Sequence, residues 1–209
     1  MWSRLWAGTL VGARTYQSTK PFIRRITLAA LPPDVPLITT DGFKFYAMAI
    51  RSIFGATCVF GQVIKKIRDN RVVRVRTNLV TGSEWRVEGS LLESADSSKV
   101  NTAFIELFNL TIRQSSAYLN RRSPGHARRK RTLEEHLELL HCHYNFCRPH
   151  GSLKFGPVTR APAMQAGLAR KRLTFREIFT ARIVAVRLAL VQSPAGPYHQ
   201  GMDSLKCAA

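Results

Sequence analysis

The chain has 209 residues, and its 32 Lys plus Arg against 13 Asp plus Glu give a formal charge of +19, which excludes an ordinary acidic enzyme and makes a polyanion the expected partner. A hydrophobic share of 45% with 9% aromatics supplies a core and excludes a disordered basic arm. Four cysteines (Cys58, Cys142, Cys147 and Cys207) are too few for a disulfide scaffold, and the longest apolar stretch, near 178–191, is broken by Arg182 and Arg187, short of the roughly 20 apolar residues of a membrane span.

In chain order, residues 5–11 alternate large and small apolar side chains up to Gly12 and predict a strand. Ser18, Thr19 and Pro21 then open a helix that runs to about residue 31 and ends in Leu-Pro-Pro-Asp-Val-Pro. Residues 36–40 predict a short buried strand stopped by Asp41-Gly42, followed by a helix that Gly55 closes. Residues 56–63 predict another strand. Beyond it, 71–88 read as a β-hairpin turning at Thr81-Gly82-Ser83, with Arg71, Arg74, Arg76 and Arg86 as a basic ribbon or, more plainly, as cover for a sheet edge. A helix is predicted over 100–119, with Phe104, Leu107 and Phe108 on its core side. A basic linker follows, and Thr132-x-x-Glu135 reads as a capping box for a helix to about residue 146 that Pro149 ends. A loop with a short helix, a last helix over 175–191 and a loose tail complete the chain.

Two carboxylates stand out. Asp41 follows a buried strand, where α/β sheets place ligands, although Asp-Gly after a strand is also an ordinary turn. Glu106, Asn109 and Arg113 are spaced to share one polar face of the 100–119 helix. Clustered carboxylates can hold Mg²⁺ ions about 4 Å apart for phosphoryl transfer, and a cation on the same face suits a phosphodiester backbone. Between residues 111 and 131 lie Arg113, Arg121, Arg122, Arg128, Arg129, Lys130 and Arg131, with Tyr118 and His126 among them and no acid. This reads as a phosphate-binding track. His141, Cys142, His143, Cys147 and His150 crowd together, but the spacing offers no second ligand pair for zinc. His150 reads instead as a structural histidine whose ring bonds backbone.

Thr40-Asp41-Gly42, the run Asn101-x-x-x-Ile105-Glu106-x-x-Asn109-x-x-x-Arg113, and Tyr144-Asn145-x-x-Arg148-Pro149-His150-x-Ser152-Leu153 with Pro162-Ala163 together resemble the DDE-type insertion-sequence transposases over about residues 4–179. The resemblance implies an α/β, ribonuclease H-like catalytic core, like that of retroviral integrases, using Mg²⁺ or Mn²⁺ to cut and join DNA. Asp41 matches the family's second aspartate and Glu106 its glutamate, both as metal ligands. Two departures accompany it. The first aspartate, expected on an earlier apolar strand, has no counterpart, since only Asp34 precedes Asp41. Leu107 stands where the family commonly has Arg.

The expectation is therefore a core lacking its first strand, with an inserted hairpin at about 70–89 and a C-terminal helical extension. Residues 1–120 form the partial core, 121–131 the basic linker, 132–192 the helical part and 193–209 the tail. Two carboxylates bind Mg²⁺ weakly, so the chain is expected to hold duplex DNA, with a homo-oligomer on DNA as one arrangement, without transferring strands. A cytoplasmic, nucleoid-associated place in a prokaryote and no membrane contact are implied. The alternative is a non-catalytic basic DNA- or RNA-binding protein; a third reading is a decayed remnant that folds poorly.

Overall fold

The computed structural model describes residues 3–30, 37–69, 71–92, 99–120 and 124–180. Arg121, Arg122, Asp34, the end of the helix expected to reach residue 191 and the tail lie outside the described residues. No described helix is long and apolar enough to cross a membrane. The chain is mixed α/β, with a small sheet and several helices. It divides into two compact units, Ala7–Glu138 and, of the described chain, residues 3–6 with 139–180.

The first unit is built on a three-stranded sheet in the order β1-β2-β3, of Leu37–Asp41, Val59–Arg68 and Arg71–Thr81. β1 and β2 run parallel, which requires a crossover, and helix α2 (Lys44–Phe54) supplies it. Gly55 ends α2 at φ 55°, its N–H donating to the Arg51 carbonyl, a backbone position that a side chain resists. Ile50, Cys58 and Phe60 form the buried centre, with Ile23, Ile38, Tyr46, Ala47, Phe54 and Val80 packed around them. Helix α1 (Tyr16–Ala30) contributes Ile23 to the same face of the sheet. Fully burying a side chain the size of Phe60 or Ile50 contributes about 2 kcal/mol.

The α1 and α2 helices and the β1 and β2 strands follow the sequence expectation in kind. Helix α1 starts earlier than Pro21 suggests, because the Thr15 hydroxyl accepts the Ser18 N–H at 3.3 Å and caps it. The expected strand at 5–11 does not form. That segment is irregular: Thr9 gives its carbonyl to the Arg25 guanidinium at 3.0 Å, and Gly8 lies against Phe22 and Ile26 of α1.

The expected hairpin is displaced. β2 and β3 themselves form it, turning at Asp69, whose φ of 50° suits an Asp. Gly82-Ser83 ends β3 and opens helix α3 (Glu84–Leu92), with Ser83 accepting the Arg86 and Val87 N–H groups. A side chain at Gly82 would stand 3.3 Å from the Val59 Cα, at φ 96°, so its glycine serves close packing at a strand end. Arg86 therefore lies on a helix, donating to the Thr57 carbonyl at 3.0 Å, and not on the ribbon. Helix α4 (Ala103–Ser115) is also less buried than expected: Phe104 and Leu107 are exposed, and Phe108, Thr111 and Ile112 are its better-covered residues.

Helix α5 (Lys130–Cys142) begins two residues before Thr132, so Glu135 pairs with Arg131 instead of closing a capping box. A genuine box opens helix α7 (Phe175–Thr180): Thr174 Oγ1 accepts the Glu177 N–H at 3.1 Å, and Glu177 Oε2 accepts the Thr174 N–H at 2.7 Å. Lys171 first, then these Thr174 bonds, hold the Glu177 carboxyl down to about 2.

The second unit gives the Tyr-Asn and Pro-Ala motifs a structural meaning. Asn145, buried in the π-type turn His143–Cys147, accepts the Trp6 N–H and donates to the Trp6 carbonyl, both at 2.9 Å. One side-chain amide thus does for Trp6 what a neighbouring strand would do. Trp6 packs on His141 and edge-on to Tyr144. Leu153, Ala161 and Ala163 are fully buried beside a short hairpin of β4 (Lys154–Phe155) and β5 (Val158–Thr159), and Pro162 opens helix α6 (Pro162–Gln165).

Replacing Asn145 by Ala removes both of these bonds, although the Trp6 carbonyl keeps the His141 ring as a partner, and a buried backbone group that loses its bond costs about 1–3 kcal/mol. Asn145→Ala should therefore lose about 1–3 kcal/mol in urea unfolding; a loss below about 0.5 kcal/mol would contradict the clamp.

Candidate functional site

The parallel register sets Thr39 beside Gly61 and Asp41 beside Val63. Side chains paired this way share a face, and alternation adds Lys65 two residues on. This is the face opposite the α1–α2 core, which uses Ile38 and Phe60. The chain entering α4 lies against it: a side chain at Gly61 would come within 3.2 Å of Val100 Cγ1. From the first turn of α4, Glu106 reaches the same face and pairs with Lys65. Thr102 donates its hydroxyl to the same carboxylate oxygen at 2.6 Å.

The two carboxylates expected from sequence thus belong to one sheet face, and one oxygen of each is engaged within the fold. Asp41 Oδ1 accepts the Phe43 N–H at 3.1 Å, the turn bond that leads into α2. Gln62, buried, donates to the Asp41 carbonyl at 3.0 Å and fixes that turn. Burial, and then the Asp41 charge, push the Tyr46 hydroxyl up. Glu106 is held below the usual carboxylate range, chiefly by its bond from Lys65 and next by Thr102, and a helix N-terminus favours the same anion.

This donor set does not fit a pair of Mg²⁺ ions. Among the described residues no three His, Cys, Asp or Glu side chains come together, and an ammonium already sits on Oε1 of Glu106. Two carboxylates, one already bridged, leave a divalent ion mostly hydrated.

Asn109 is exposed and Arg113 half-buried on α4; neither bonds Glu106. The basic run is partly neutralised: Lys130 pairs with Glu134 at 3.3 Å and Arg131 with Glu135 at 2.7 Å. Arg128 and Arg129 remain exposed, without an ion pair to any described residue. The His150 ring bonds the Ser152 hydroxyl at 2.9 Å and not, as expected, backbone. Burial, then Arg4 and Arg148, push its pKa down.

Sequence reasoning missed Lys65 and Gln62. Lys65 lies beyond the last residue of β1 on the longer partner strand, so only the register shows that it stands over the strand end carrying Asp41. Compared with known family models, curated proteins and solved structures, the chain matches none.

The pairing has a pH signature. Because the folded Glu106 pKa is lowered, its stabilisation is present above the ordinary glutamate value and is lost as pH falls through the lowered one. An exposed pair of this kind contributes about 0.2–1 kcal/mol. In Lys65→Met the Glu106 carboxyl should titrate nearer its ordinary value, followed by the ¹³C shift of its Cδ; an unchanged midpoint would show that Lys65 does not hold it.

Proposed function

We propose that the chain is a duplex-DNA-binding protein of the DDE-transposase kind, with a ribonuclease H-like core, that does not by itself cut or join strands. The observation that carries this reading is the state of Glu106. On the face that also bears strand-end Asp41, its carboxylate is engaged by Lys65 and Thr102. The β1–α2–β2 unit, with an acid at the end of its first strand and a second on a helix over the same face, supports the fold assignment.

The physical division of labour follows from charge. An excess of cations attracts the phosphate backbone whatever becomes of the catalytic set. In this reading Mg²⁺ or Mn²⁺ binds weakly, while Arg128 and Arg129, with Arg113 and Asn109 on α4, contact the backbone.

Two assays test it. Affinity for a duplex should fall about 100-fold or more between roughly 50 and 200 mM salt, as four or more phosphate contacts require. Purified protein should leave supercoiled plasmid intact in Mg²⁺. Nicking that needs Mg²⁺ and disappears in Glu106→Gln would overturn the non-catalytic reading, and salt-insensitive binding would overturn the electrostatic one.

A further inference from the structure

The outer part of the β2–β3 hairpin, residues 64–76 of those described, is exposed along its whole length. Its pairing sorts the side chains. Ile64 lies opposite Arg76, Lys66 opposite Arg74, and Arg68 opposite Arg71, while Lys65 lies opposite Val75 and Ile67 opposite Val72. Paired residues of an antiparallel ladder share a face. One face therefore carries Lys66, Arg68, Arg71, Arg74 and Arg76, with Ile64 at its inner end; the other carries Ile67, Val72 and Val75, with Lys65.

Simple alternation would not give this result. Arg71 and Arg74 are three residues apart, so a regular strand would point them in opposite directions. The register shift between Lys66 and Ile67 leaves Val73 as the extra residue of a bulge, which returns Arg71 to the face of Arg74. The remaining cation of the apolar face, Lys65, is bridged to Glu106. On the cationic face, among the described residues, only Arg68 has an acid within ion-pair distance, Asp69 at 3.8 Å, and both are exposed. Lys66, Arg71, Arg74 and Arg76 form no ion pair with any described residue.

We infer that this ribbon is a duplex-DNA-binding arm that presents its cationic face to the phosphates bordering one groove. The inference rests on the DNA-binding reading above and assigns it a contact surface apart from the basic run before α5. The shape favours a duplex, since the B-form major groove admits a two-stranded β-ribbon, whereas the deep, narrow groove of A-form RNA does not. The composition disfavours single strands: residues 61–81 contain no Phe, Tyr or Trp on which bases could stack.

The test uses the full chain and a fixed duplex of mixed sequence, with affinity measured against salt. In the combined variant Lys66→Ala, Arg71→Ala, Arg74→Ala and Arg76→Ala, the slope of log affinity against log salt should shrink by about 3–4, at roughly 0.9 per phosphate contact. Arg71→Lys, Arg74→Lys and Arg76→Lys together should keep the slope, and Val72→Thr with Val75→Thr should leave it unchanged. These side chains are exposed, so all three variants should melt within a few degrees of the parent. Parent binding with an unaltered slope in the alanine variant would overturn the arm and leave the DNA-binding reading standing. Loss of slope in the lysine or threonine variants at an unchanged melting temperature would also overturn the arm. No salt-dependent binding by the parent would overturn both. Equal competition by an RNA duplex of the same sequence would overturn the assignment to DNA.

Discussion

The bond between Lys65 and Glu106 joins the sheet of the first unit to helix α4. Lys65 extends past the end of β1 on the longer strand β2, and Glu106 sits in the first turn of α4. Their pairing, with Gly61 clearing space for Val100 and Thr102 adding a second bond, seats the start of α4 on the sheet face that carries Asp41. The same pairing answers the chemical question at that face. The Glu106 carboxylate accepts from an ammonium and a hydroxyl, and among the described residues no three acid, His or Cys side chains gather as ligands for a metal pair. It also removes the one cation from the apolar side of the ribbon, so charge collects on the opposite side.

Charge alone points to a polyanion as the expected partner, and its distribution points to the surface proposed to meet one. The run that looks densest in the sequence, around 128–131, loses half its strength because Glu134 and Glu135 lie one helical turn beyond Lys130 and Arg131. The less conspicuous series on β2 and β3 keeps its strength because its cations are spread along two strands with few acids in reach. A single bulge residue, Val73, decides whether they act together.

Elements set by strong local signals were legible. The helix stopped by Gly55 and the strand before Asp41-Gly42 came from a positive-φ glycine and a short apolar run that finds a ladder partner in β2. Signals shared by two outcomes were not. Thr132-x-x-Glu135 and Thr174-x-x-Glu177 carry the same pattern, and only the second caps a helix, because Arg131 engages Glu135. Gly-Ser at 82–83 serves equally as a hairpin turn or as a strand end before a helix, and contact with Val59 selects the latter. The apolar segment at 5–11 had strand composition but no ladder partner among the described residues, and the backbone of Trp6 is satisfied by Asn145, 139 positions away. Of the site, the two acids were legible, whereas Lys65 was not, since its place depends on how far β2 outruns β1.

The claim at the centre of this account is that the Asp41–Glu106 face holds an ion pair and not a metal. Titration of the full chain with Mn²⁺, read as paramagnetic broadening of backbone amide resonances, tests it most directly. The account predicts no saturable broadening centred on Asp41 and Glu106 at millimolar ion. Saturable broadening of both, together with displacement of the Lys65 ammonium from Glu106, would contradict it.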